Sequence, residues 1–150
     1  METKIKKELV ENLQNILEKN YDAEAGYKKI MLKAEGNALK KWLQERAAER
    51  SNFATEIDEQ LRLINEQPIK DGSLKATVHR AWIDVKTALS LDTDESILEE
   101  CIRGENESIS QYESVLNGGI YNEKLSVILA SQMLKIKENI DVAKKIDFVL

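Results

Sequence analysis

The chain has 150 residues, 42% hydrophobic and 33% charged, with 22 Lys and Arg against 27 Asp and Glu for a net charge of −5. That acid excess argues against nucleic acid as a partner, because such affinity rests on Lys and Arg neutralising phosphates, and no basic stripe is visible. One Pro and six Gly point instead to one helix-rich domain, long enough to hide roughly 70% of its unfolded surface.

The first predicted helix runs from about Lys4 to Lys33, with Leu9, Leu13, Leu17, Asn20, Glu24, Tyr27 and Met31 on one face, and it stops near Glu35-Gly36-Asn37, where Gly suits a helix C-terminus. The pattern resumes at Ala38 with Leu39, Trp42, Arg46, Glu49, Phe53, Ile57, Gln60 and Ile64 and ends before Gln67-Pro68. So short a break makes the two helices antiparallel neighbours, each on the order of 40 Å long. Ser73 is a fitting cap for a shorter helix carrying Leu74, Val78, Trp82, Val85 and Leu89, read as a crossover. In Asp92-Thr93-Asp94-Glu95 a capping box opens the next helix, with Asp92 as cap and Asp94 as its rival. That helix presents Ile102, Glu105, Ile109, Tyr112 and Leu116 and closes at Gly118-Gly119. The last helix, from about Asn122, presents Leu125, Ile128, Gln132, Lys135, Asn139, Val142 and Ile146, with a second apolar row of Leu129, Met133, Ile136 and Ile140. No segment alternates with period two as a half-buried strand does.

The expected fold is therefore all-α. Two hairpins joined by one long link give a ferritin-like, up-down-down-up four-helix bundle, residues 1–150 forming one domain with an extra short helix between the second and third long helices. Each long helix places a polar group within its apolar stripe: Glu24, Glu49, Glu105, and Gln132 with Lys135. Ferritin-like di-metal proteins take one Glu from each of two helices and a Glu-x-x-His pair from each of the other two. Here Asn52 stands where the second helix needs His, and Gln132 and Lys135 stand at the fourth corner. Glu24, Glu49 and Glu105 are thus the candidate metal ligands, suited to Fe or Mn, but without the nitrogen donors of redox di-iron sites. Buried carboxylates must be protonated, metallated or paired with a cation. The sharper expectation is that Lys135, with Gln132 beside it, replaces the metals as counter-ion to Glu49 and Glu105, with Arg46 as a further source of charge.

The segments DAEAGYKK, RAAERSNFA, TVHRAWIDVKTAL and ECIRGENESISQYESVL resemble an uncharacterised bacterial family of ferritin-like four-helix-bundle proteins, a domain of unknown function. The resemblance runs from about residue 8 to 146, implies the fold, and carries no catalytic residues.

His79, the single histidine, reads as a packing residue beside Trp82. Cys101 reads as a small buried hydrophobe with no disulfide partner. Tyr27 and Tyr112 fall on inward rows, within reach of the carboxylates. The start METKIKKELV is charged and amphipathic rather than an apolar leader, and the uncharged run from Leu125 to Leu134 is shorter than the about 20 residues a membrane span needs. The expectation is a cytoplasmic, non-catalytic bundle with a degenerate di-metal site and no resident cofactor, in an interaction or stress-related role. It leaves room for a homo-oligomer and names no protein partner. The competing reading is a Fe or Mn carboxylate protein with oxidase or iron-handling activity. A third is a module that docks through the crossover helix, which needs an unburied Trp82.

Overall fold

A computed structural model of the chain describes residues 2–70, 90–119 and 122–146. Four α-helices make up the described part, α1 Glu2–Met31, α2 Asn37–Leu63, α3 Asp94–Asn117 and α4 Glu123–Ala143, with no strand among the described residues. The crossover helix expected over residues 73–89, with His79 and Trp82, lies outside them.

Side-chain pairings fix the direction of each helix. The Asp94 carboxylate, in the first turn of α3, accepts from the backbone N–H groups of Glu35 and Gly36 at 2.9 and 2.7 Å, so α3 begins where α1 ends. Tyr27 then meets Glu105 and Asn20 meets Tyr112, so α3 runs antiparallel to α1. Arg46 meets Asn139, and Gln132 meets the Phe53 carbonyl, so α4 runs antiparallel to α2. It follows that α2 and α3 start at the same end, so the chain leaves α2 at the end opposite the start of α3. Its departure is held by Gln14 of α1, whose amide donates to the Gln67 carbonyl at 2.8 Å and accepts from the Ile69 N–H at 3.0 Å.

Three helix ends are made differently from the sequence reading. Gly36 does not close α1, which ends at Met31; it is the N-cap of α2, with an extended backbone at φ −75°. Close approach is what favours glycine there, since a Cβ would stand 3.0 Å from Asp94 Oδ2. At the far end, α2 stops before the proline takes effect. Asn65 adopts φ 61° and donates to the Arg62 carbonyl, while Glu66 donates to the Leu61 carbonyl, the pairing of a Schellman cap with Asn in place of Gly. For α3 the cap is Thr93, whose hydroxyl accepts from the Ser96 N–H at 3.0 Å, rather than Asp92 or Asp94. Asp94 is free of that task and holds the α1–α2 turn instead.

The apolar core falls into two clusters. Around the α1–α2 turn end lie Tyr27, Ile30, Leu39, Trp42, Leu43, Ile97, Leu98 and Cys101. Towards the other end lie Leu13, Ile16, Leu17, Phe53, Ile57, Leu61, Tyr112, Leu129 and Ile136. Each fully buried Leu or Ile contributes about 1.5–3 kcal/mol relative to exposure. Between the two clusters the helices turn polar side chains inward.

Candidate functional site

The polar layer is built around Arg50, which is 2% exposed. It falls on the row Leu43, Ala47, Arg50, Ala54, Ile57 and Leu61, whose alternating steps of four and three keep one face of α2 against the core. Its Nη2 donates to Glu105 Oε1 at 2.8 Å and to Ser108 Oγ at 3.0 Å, and its Nη1 donates to Asn20 Oδ1 at 2.9 Å. Tyr27 donates its hydroxyl proton to the same Glu105 oxygen at 2.7 Å. From Asn20 the network continues: its Nδ2 donates to the Tyr112 hydroxyl at 3.0 Å, and that hydroxyl donates to Gln132 Oε1 at 2.7 Å. Gln132 Nε2 closes the chain on the Phe53 carbonyl and the Glu56 carboxylate at 3.3 and 3.2 Å. All four helices contribute, and the layer ties them in one register.

Electrostatics follow from this enclosure. Burial alone would lower the affinity of Arg50 for its proton, but the Glu105 carboxylate more than offsets it and the guanidinium holds its proton above the ordinary range. Burial first, and then the adjacent Glu105 charge, push the Tyr27 phenol well above its usual value. Burial likewise pushes Tyr112 up to about 12. Both phenols therefore remain proton donors at neutral pH. One turn before Glu105, Cys101 is buried and its thiol is pushed well up by desolvation and then by Glu105, the opposite of an activated nucleophile. The second carboxylate oxygen, Glu105 Oε2, is buried without a hydrogen-bond partner.

Of the residues expected to hold a metal or to replace one, only Glu105 and Gln132 enter the layer. Glu24 lies at the edge of the α1 stripe and accepts from Lys28 at 2.7 Å, its side chain 20% exposed. Glu49 is half-buried in a separate cluster, where it accepts from the Asn139 amide and stands 3.8 Å from Arg46 Nε. Asn52 and Lys135 are exposed. Lys135 is thus not the counter-ion of Glu105; Arg50 is. The cause is a phase error of one residue, about 100° of rotation, because following Trp42 and Phe53 down α2 selects Glu49 and turns Arg50 away. The row through Leu43, Ala47 and Ala54 carried the correct phase. Arg50 and Ser108 were missed, while Tyr27 lies against the carboxylate as its inward position suggested.

The donor set does not suit a divalent ion. A guanidinium and a phenol already occupy Glu105 Oε1, and among the described residues no three His, Cys, Asp or Glu side chains converge as metal ligands.

Beside the layer sits a more open cluster. Arg46 Nη1 donates to Asn139 Oδ1 at 2.7 Å, and its guanidinium lies over the Trp42 ring at 5.7 Å. Trp42 in turn meets Tyr27 edge-on at 5.7 Å, so the aromatic pair joins the two polar groups. A shallow groove lined by Ala38, Lys41, Trp42, Glu45, Val142 and Ile146 runs alongside.

No helix among the described residues is long and apolar enough to cross a membrane. The chain has no match among curated proteins. Residues 8–118 match the model of a domain of unknown function, DUF2383. That span takes in Asn20, Tyr27, Arg50, Glu105, Ser108 and Tyr112 of the layer and leaves out Gln132 and the rest of α4. With most of its length inside the match, the chain belongs to the DUF2383 family.

Proposed function

We propose that the protein is a non-catalytic, ferritin-like bundle in which a hydrogen-bonded ion pair takes the place where ferritin-like carboxylate proteins hold two metals. Its role is interaction, in a stress-related setting in the cytosol, rather than turnover. The observation that carries this reading is the Arg50 guanidinium, which bonds Glu105, Ser108 and Asn20 at the waist of the bundle. One cation already neutralises Glu105, the one fully buried carboxylate among the described residues, and an added divalent ion would bring uncompensated charge into a low-dielectric interior. The long link between two helices that start at the same end supports the ferritin-like wiring.

A second reading keeps Fe or Mn bound by Glu24, Glu49 and Glu105, with oxidase or iron-handling activity. What favours it is the buried, unpartnered Glu105 Oε2. It requires Glu24 to leave Lys28 and Glu49 to leave Asn139. Anaerobic titration of the metal-free protein with Fe²⁺ and with Mn²⁺, followed by calorimetry, separates the two. The proposal expects no stoichiometric uptake. Tight binding of one or two ions per chain, lost in Glu105→Gln, would overturn it.

A further inference from the structure

The outer face of α4 reads the same from both ends. Glu123-Lys124 near its start is answered by Lys137-Glu138 near its end, Val127 by Leu134, and Ala130 by Ser131, all symmetric about the midpoint between Ala130 and Ser131. All eight residues are exposed, Val127 by 63% and Leu134 by 56%. At 100° per residue, Val127, Ala130, Ser131 and Leu134 form the centre of one outward stripe. Glu123 and Lys137 lie on one flank of it, and Lys124 and Glu138 on the other.

We infer that this face is a self-complementary docking surface whose occupant is α4 of a second copy of the chain, laid antiparallel across a two-fold axis at the Ala130/Ser131 midpoint. Such an axis sets each flank against the same flank of its mate, as an isologous contact requires. Glu123 then meets Lys137 of the second copy, and Lys124 meets its Glu138, each pair occurring twice. Val127 packs on Leu134 of the second copy, and the small Ala130 and Ser131 let the axes approach to about 8 Å. The antiparallel arrangement also sets the two helix dipoles head to tail. Within one chain these charges are little engaged. Lys137 approaches Glu113 only at 3.9 Å, and Glu123, Lys124 and Glu138 form no ion pair among the described residues. The inference gives the proposed interaction role a definite partner, and it does not depend on whether a metal binds.

Sedimentation velocity on the full chain, over protein concentrations from about 5 to 500 μM, tests it, since a contact of one helix pair belongs with small, weak interfaces. The wild type is expected to show a reversible monomer–dimer equilibrium. Leu134→Asp is expected to raise the dimer Kd at least about 30-fold, since it places two charges in the apolar centre. Lys137→Glu is expected to raise it about 10-fold, and Glu123→Lys with Lys137→Glu to return it to within about 3-fold of wild type, because the swapped pair restores opposite charges. All these sites are exposed, and helicity by circular dichroism checks that each variant folds. A wild type that stays monomeric throughout would overturn the inference, as would a dimer indifferent to Leu134→Asp or a charge swap no better than the single reversal. None of these results bears on the metal titration, so the two proposals fail separately.

Discussion

Two clusters of the same chemistry lie side by side in this bundle, each with an arginine, a glutamate and an amide, and they differ in enclosure. Around Arg50 and Glu105 the side chains are 2% and 1% exposed and the ions touch at 2.8 Å. Around Arg46 and Glu49 they are 12% and 18% exposed and the ions stand 3.8 Å apart, with Asn139 bonded to both. Without water to share the charge, the first pair has to satisfy itself by direct contact. The second still has solvent beside it and tolerates a looser arrangement. Position in the bundle, more than residue type, decides whether an ion pair locks the fold or merely decorates it.

Truncating each arginine in turn separates the two clusters by the largest margin. Arg50→Ala leaves Glu105 buried and unpaired and is expected to cost about 4 kcal/mol in urea unfolding. Arg46→Met, which keeps the packing on Trp42, is expected to cost under about 1 kcal/mol. Equal losses would contradict the distinction.

Alkaline titration probes the closed layer alone. Below pH 10 the folded and unfolded chains both hold the Tyr112 proton. Above it the unfolded chain releases a proton that the folded chain keeps until about pH 12, so stability falls across that window. The loss from Tyr112 is about 3 kcal/mol at its upper end, and Tyr27 is raised as well. Ultraviolet difference spectra should show these two phenols ionising only as the chain unfolds. Ionisation of all four tyrosines near pH 10 with the fold intact would mean the layer is open.

Asp22 gives a half-buried test of opposite pH range. Partial burial first, and Glu18 second, push its carboxyl up to about 6 against the pull of Lys19. The folded chain therefore binds the proton more tightly than the unfolded one, and stability rises as pH falls from about 6 towards 4. Solvent screening limits the gain to about 1 kcal/mol. Asp22→Asn should stabilise the protein at pH 7 and flatten this rise, to be read from thermal melts across the window.

Salt separates the two clusters with the smallest effect. Raising ionic strength should reduce the coupling between Arg46 and Glu49 and leave that between Arg50 and Glu105 unchanged, since screening acts on exposed charge.

The fold was largely legible because helical periodicity repeats over many residues and survives local errors. Four helices, the break at 32–36, the stop at Gly118 and the restart at Asn122 were all readable from apolar spacing and Gly. Capping was less so, because Asp92, Thr93 and Asp94 are equally good caps by composition and only the third dimension employs Asp94 at the neighbouring turn. The site was half legible. Glu105 announced itself as an acid on an apolar stripe, and Gln132 followed. Arg50 did not, since Trp42 and Phe53 define one row of α2 and Leu43, Ala47 and Ala54 another, and choosing between them requires knowing which helix packs where. Glu24 and Glu49 lie at the edges of their stripes, outside the layer, with partners of their own.

Among the described residues Arg50 is the cation that neutralises Glu105. A double-mutant cycle of Arg50→Met, Glu105→Leu and the two together, read by urea unfolding in metal-free buffer, tests it most directly. Two strongly destabilised single variants are expected, with a double variant more stable than either and close to wild type, since an apolar pair can replace a buried ion pair at little cost. Additive losses, with the double variant the least stable of all, would contradict it.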